Sequence, residues 1–486
     1  MRRLLVTVVV VSAIGSAAAA GPPPTDAAIT HVLNRIGFGP RPADVEHVRA
    51  IGIERYVDEQ LHPERIGDTA LTERLAGLTT VRLSQRDIVN TFELPQIEAR
   101  RARKQGAATG ADPSAAPPRD SMAQKANTLV AELAEQKLVR AVYSERQLQE
   151  VLADFWFNHF NVDARKGRDR FLLTVYERDA IRPHVLGKFR DLLGATAKSP
   201  AMLFYLDNWM NADPNGPHPE PRPSPAMPGR FGRRALVPPA PRMPPANTQN
   251  KKGLNENYAR ELMELHTLGV DGGYTQKDVS EVARAFTGWT IENPRQGAEF
   301  TFNRRLHDPG QKVVLGHVIK AGGDESDGEQ VLDILAKEPA TARFIATKLV
   351  RHFVSDVPPP ALVDRAAKRF HDTGGDLRDV VRTILTSPEF GSPDVYDAKV
   401  KSPFEFVASA LRAAGAESID AKPLVRQLQQ MGMPLYMCQP PTGYKDTADA
   451  WVNTGALVNR INFALQLSRG DQTLAQTLGA PEFQKR

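Results

Sequence analysis

The 486-residue sequence contains a single cysteine, Cys438. One thiol excludes a disulfide framework within the chain, thiolate zinc clusters and covalent c-type haem attachment. Its surroundings, "YMCQPP", offer no histidine or basic neighbour to activate it, so a buried and inert thiol is expected. Beyond the first twenty residues no stretch is apolar enough to cross a bilayer, so no transmembrane helix is expected in the mature chain. Dense basic runs are also missing. The formal charge is only +5, the aromatic share is 7%, and the aromatics do not interleave with basic clusters, which argues against nucleic acid as a partner. There is no GxSxG elbow, no GxxxxGK[ST] loop, no GxGxxG followed by an acid and no HExxH. Serine-hydrolase, nucleotide-hydrolase, dinucleotide and zinc-protease readings therefore lack their signatures.

What is present begins with "MRRLLVTVVVVSAIGSAAAAG". Arg2 and Arg3, an apolar stretch from Leu4 to Ile14 and the small residues Ala18 to Ala20 have the layout of an export signal cleaved near Ala20. An uncleaved N-terminal anchor is the alternative. Export would place the mature chain in the periplasm or outside the cell. With 41% hydrophobic and 24% charged residues the remainder has a globular composition. Helical periodicity recurs along it. Thr25 and Asp26 open a first helix, and helices are expected near 43–50, 53–61, 71–98 and 121–142. Ser144, with Gln147 three residues on, is expected to cap the next. Further helices are expected near 327–335, 340–353, 360–371, 376–385, 403–413, 423–430 and 454–468. The only strand-like stretch is "AEFTFNRRLHDPGQKVVLGHVI". Low-complexity insertions are expected at about 101–120 and 211–247, the second too rich in proline to fold regularly. Together these predict an all-α fold: one multi-helix domain over 21–486 with at most a small β-hairpin.

The densest chemistry lies in "NENYARELMELHTLGVDGGYTQKDVSEVARAFTGWT", from Asn255 to Thr290. On a helical wheel Tyr258, Leu262, Leu265 and Gly269 share one stripe, and Asn257, Arg260, Glu261 and Glu264 lie opposite, with His266 nearer the apolar side. The polar face is either a solvated surface or a catalytic one, with Glu261 and Glu264 binding a metal or acting as acid and base. Thr275 and Asp278 form a capping box for the following helix.

This stretch resembles the central signature of the bacterial domain of unknown function 1800 family. "HVLNRIGFGPRPADVEHVRAIGIERYVDEQL", "LADFWFNHFNV", "SPAMLFYLDN", "HDPGQKVVLGHVI", "GDLRDVVRTILTSPEF" and "WVNTGALVNRINFA" resemble its other segments, in order. The resemblance covers nearly all of the mature chain. It supplies no activity. It implies a predominantly helical exported bacterial protein, often encoded beside a sulfatase-like partner of the domain of unknown function 1501 family. One departure lies near the C-terminus. In "QPPTGYKDTADAWVNT" Tyr444 stands where the family tends to carry a Trp in a Gly- and Trp-rich turn.

Other polar groups invite two readings each. His159 and Asn158, set among Phe155, Trp156, Phe157 and Phe160, are either core groups or site residues. His307 and Asp308 precede a Pro-Gly turn, where Asp308 either bonds the backbone or joins His307 in a metal site or proton relay. Trp289 is either core or a stacking surface for a sugar ring. Asn208 and Asn453 are polar tips beside aromatics. Two function classes follow. The first is an envelope or extracellular enzyme, a metal-assisted hydrolase in its sharpest form. Glu261, Glu264, His159 and Arg260 would be catalytic, Asn158, Asn257, Trp289 and Asn453 would bind substrate, and His266, His307 and Asp308 would hold a divalent metal ion. The second is a non-catalytic carbohydrate- or protein-binding assembly factor of the envelope.

Overall fold

A computed structural model describes residues 24–109, 119–216 and 253–486. The export signal expected over 1–20 and most of the second expected insertion lie outside these residues. Helices account for most of the described chain. The strand-like stretch, with the residues just before it, forms two antiparallel hairpins. Strand β1 (Trp289–Ile291) pairs with β2 (Phe300–Phe302), Trp289 opposite Phe302, and β3 (Lys312–Val314) pairs with β4 (His317–Ile319), Lys312 opposite Ile319. One cluster of buried apolar side chains runs from Ile29 to Leu478, joining both ends of the described chain. No described helix is long and apolar enough to cross a membrane.

Local chemistry sets many helix ends. Thr25 accepts from the Ala28 amide at 3.2 Å and starts Asp26–Arg35. Asp278 and Thr275 exchange the two bonds of a capping box before Gln276–Ala285. Other boundaries differ from expectation. Ser144 does not start the helix that runs Gln147–His159. It donates to Asp68 at 2.6 Å and accepts from the Arg146 amide, while Gln147 turns inward to the Ser144 and Ala141 carbonyls. The stretch 71–98 is broken into short turns, including a wide π-type turn at Val89–Glu93. The helix that follows runs Leu94–Thr109, through the first part of the expected loop, since Ala, Arg, Lys and Gln are good helix formers. Asn211 is no part of a solvated insertion either: it is fully buried and donates to the Ala283 carbonyl at 2.8 Å.

Candidate functional site

Segments distant in sequence line a cavity of about 350 Å³, three of them supplying most of its wall and Glu405 a further carboxylate. The Gln147–His159 helix contributes Asp154, Phe155, Asn158 and His159, and the Pro339–Phe353 helix contributes Lys348, Arg351 and His352. The segment 442–451 contributes Tyr444, Asp446 and Trp451. Spacing explains the first two walls. Asp154, Phe155, Asn158 and His159, like Lys348, Arg351 and His352, recur at three and four residues and so share a helix face. The third wall is fastened by Asn158, which donates to the Tyr444 carbonyl at 2.8 Å and accepts from the Tyr444 amide at 2.7 Å. The turn that carries Tyr444 therefore lines the cavity, and Tyr444 packs at 5.9 Å from Trp451.

At the cavity wall the Lys348 ammonium lies 2.8 Å from His159 Nδ1. An ammonium only donates, so Nδ1 accepts and the imidazole proton sits on Nε2. Nε2 accordingly donates to the His266 carbonyl at 3.1 Å. That carbonyl belongs to the last turn of the signature helix, where backbone acceptors are left over. Burial, with the nearby Lys348 cation, holds the His159 imidazole well below its ordinary range, so it stays neutral. Burial also lowers Lys348 to about 8; Asp446 opposes this and Arg351 adds to it. Across the cavity His352 Nδ1 donates to Asp446 at 2.9 Å. Lys399 reaches the other Asp446 oxygen at 3.2 Å and Arg486 approaches it at 3.7 Å. Burial works against a charged Asp446, but His352, Lys399 and Arg486 outweigh it and hold the carboxyl far below the usual range. Arg486 also pairs with Glu405 at 3.0 Å.

Residues 31–485 match a family model described as "Protein of unknown function (DUF1800)". The chain belongs to the DUF1800 family. No curated protein and no solved structure matches it.

In this DUF1800 chain the expected site residues fall into separate places. His159 and Asn158 line the cavity. His266 lies behind His159, their rings 6.1 Å apart, with its carbonyl engaged and its Nε2 buried without a hydrogen-bond partner. Burial, with Lys348 nearby, lowers His266 to about 3. Glu261 and Asn257 line a different, more open cleft with Asp163, Arg165, Lys166 and Tyr205. There burial raises Glu261, and Glu264 beside it adds to the effect. Segment 439–447 borders both clefts, with Gln439 and Pro441 on one and Thr442 to Thr447 on the other. Arg260 is committed to Gln276 at 2.7 Å and approaches Glu256 at 4.0 Å, so it holds its own helix pair together.

His307 and Asp308 do not act together. His307 contacts Asp327 at 3.2 Å and the Thr287 carbonyl, in a fully buried group completed by Lys312. Asp308 pairs with Arg284 at 2.7 Å and accepts from the Gly310 amide, the Asx-type turn. Among the described residues no three His, Cys, Asp or Glu side chains gather as a ligand set, so His266, His307 and Asp308 do not make the expected metal site. Trp289 is fully buried against Phe286 and Phe300 and donates to the Glu325 carbonyl; its ring offers no face to a sugar. Asn453 caps Thr454–Ser468 by accepting from the Ala456 amide at 2.8 Å, and Asn208 ties the Phe286 and Trp289 carbonyls. Cys438 is buried, with its thiol pushed up to about 11 by burial.

Lys348, His352 and Asp446 were not singled out by sequence reasoning. Lys348 and His352 sit in an ordinary amphipathic helix, "ATARFIATKLVRHF". The usable signal was the i, i+4 spacing of Lys348 and His352 on a helix whose other inward positions are apolar. Asp446 lies two residues after Tyr444 in the C-terminal turn.

Proposed function

We propose that this chain is an exported enzyme of the cell envelope or its surroundings, a hydrolase whose reaction centre is the His159–Lys348 cavity. The observation that carries the reading is an amine lowered to about 8, set against a neutral imidazole whose tautomer is fixed, and open to a cavity of small-molecule size. Near neutral pH such an amine exists in both forms, which is what acid–base catalysis requires. As free amine, Lys348 takes a proton from water while the water oxygen bonds the electrophilic carbon of the substrate. As ammonium, it returns that proton to the oxygen of the leaving group as the old bond breaks. Tyr444 and Trp451 supply aromatic surface and Asn158 and Thr442 supply polar edges, a lining suited to a sugar-containing substrate. The charged groups that converge here are lysine, histidine and paired carboxylates rather than a ligand set, which favours this route over a metal-assisted one. A sulfatase-like protein encoded nearby is the proposed partner, on the strength of the family resemblance alone.

The test is a screen of the mature protein on sulfated and unsulfated envelope glycans, scored by release of reducing ends. The expected rate rises with pH through about 8. Lys348→Met is expected to cost about 10²-fold or more with the fold intact by circular dichroism. A released product that forms equally fast in Lys348→Met would sink the assignment.

A further inference from the structure

The carboxylates on the cavity wall are each matched by a cation. Asp154 pairs with Lys137 at 2.5 Å, Glu405 with Arg486 at 3.0 Å, and Asp446 with Lys399 at 3.2 Å. Two wall cations are not matched. Among the described residues no carboxylate lies within ion-pair distance of Lys348 or of Arg351. The Lys348 ammonium has the His159 nitrogen and, at 5.6 Å, the face of the Phe344 ring, and Arg351 Nε donates to the Asp356 carbonyl at 3.3 Å. These two cations are one helical turn apart at i, i+3 and face the same space. Even a partly buried charge kept without a counter-ion is costly, and the cost falls when an opposite charge arrives.

We infer that the cavity is an oxyanion-binding site in which Lys348 and Arg351 together hold a carboxylate, sulfate or phosphate group of the ligand. This rests on the reading of the cavity as the functional site and narrows its substrate to an acidic one. The guanidinium gives two parallel N–H donors to two oxygens, and the ammonium gives a point charge to a third or to the same edge. Tyr444 and Trp451 then cover the neutral remainder of the ligand. Asp446 and Glu405 do not repel it, because Lys399 and Arg486 hold them in ion pairs.

The test is isothermal titration calorimetry on the full chain at low salt, with inorganic sulfate, inorganic phosphate and glucuronate as separate probes. One saturable site is expected. It should weaken about tenfold or more in Lys348→Met and in Arg351→Gln, and stay unchanged in Lys368→Met, an exposed lysine paired with Asp372. Affinity should fall as pH rises above about 8, where Lys348 loses its proton. Arg351→Gln keeps the variant pair informative if Lys348→Met folds poorly. Sulfate or phosphate binding tightest would name an ester, and glucuronate a sugar acid. No saturable binding of any probe, or binding that both variants leave intact, would overturn the inference. Anion binding without turnover in the glycan screen would uphold this inference while removing the enzymatic reading.

Discussion

Asp169 is fully buried and neither of its carboxylate oxygens has a hydrogen-bond partner. Burial pushes its carboxyl well above the usual range, with Asp163 and Asp207 adding to the effect and Lys166 and Arg168 opposing it. A raised acid penalises the folded state wherever the group must be charged. The penalty is absent below the unfolded value, grows as pH rises towards the folded one, and is full above it. Asp169→Asn is therefore expected to gain about 1–3 kcal/mol at neutral pH and nothing in acid, read by urea unfolding at the two pH values. Asp446 has the opposite sign. Its depressed carboxyl contributes stability that is present at neutral pH and is lost as pH falls below the ordinary carboxyl value of 3.8. Asp446→Asn leaves Lys399 and Arg486 short of a partner and is expected to cost about 3–5 kcal/mol, seen as a lower urea midpoint. At this scale the sequence was informative where a polar residue interrupts an apolar setting, as with Asn158 and His159. It was silent where the decisive fact is a partner hundreds of residues away. Lys348 reads as an ordinary helix lysine until His159, 189 positions earlier, is placed against it.

Among the elements, the signature helix shows why a correct pattern can still misplace its residues. Asn255 caps it and Gly269, at φ 83°, ends it. Between them the Leu268 amide bonds the Met263 carbonyl, five residues back, so the turn at Leu262–Thr267 is wide. The extra residue rotates the buried face. Met263, His266 and Thr267 turn inward while Leu265 moves to a half-buried position, a shift that a wheel of constant pitch does not contain. The rotation brings the His266 carbonyl to His159. The next helix followed its local signals, and its cap gives a simple expectation. Thr275→Ala should cost about 1 kcal/mol, measured by thermal or urea unfolding. The turn carrying Tyr444 is more demanding. Gly443 has φ 71°, and a Cβ there would lie 2.2 Å from the Asn158 carbonyl oxygen. Backbone cannot yield at that distance, so Gly443→Ala is expected to break the Asn158–Tyr444 pairing and open the cavity wall. The check is a faster hydrogen exchange at the Tyr444 amide than in the unaltered chain.

Across the whole molecule, the cavity is assembled from segments that no local pattern connects. Lys348, Arg351 and His352 come from the 339–353 helix, Asp154 and His159 from the 147–159 helix, and Glu405 and Asp446 from two later segments. A further piece closes it. Arg486 is buried, exchanges backbone hydrogen bonds with Lys399 in both directions, and sends its guanidinium to Glu405 and Asp446. The Lys401 amide bonds the Gln484 carbonyl in the same strip. This strip therefore sets the charge of the cavity from behind, since without Arg486 two wall carboxylates lose a cation and the space becomes more negative. Deleting Gln484–Arg486 tests that dependence. The deletion is expected to lower stability by about 3 kcal/mol or more, because it uncovers a buried ion network. It is also expected to weaken oxyanion binding at Lys348 and Arg351, though neither residue is touched. Arg486→Lys separates the two effects. It restores a positive charge without the guanidinium geometry, so calorimetry should show anion affinity recovering further than the unfolding midpoint does. Equal loss of affinity in both variants would mean that the strip acts through packing, and that its charge does not tune the site.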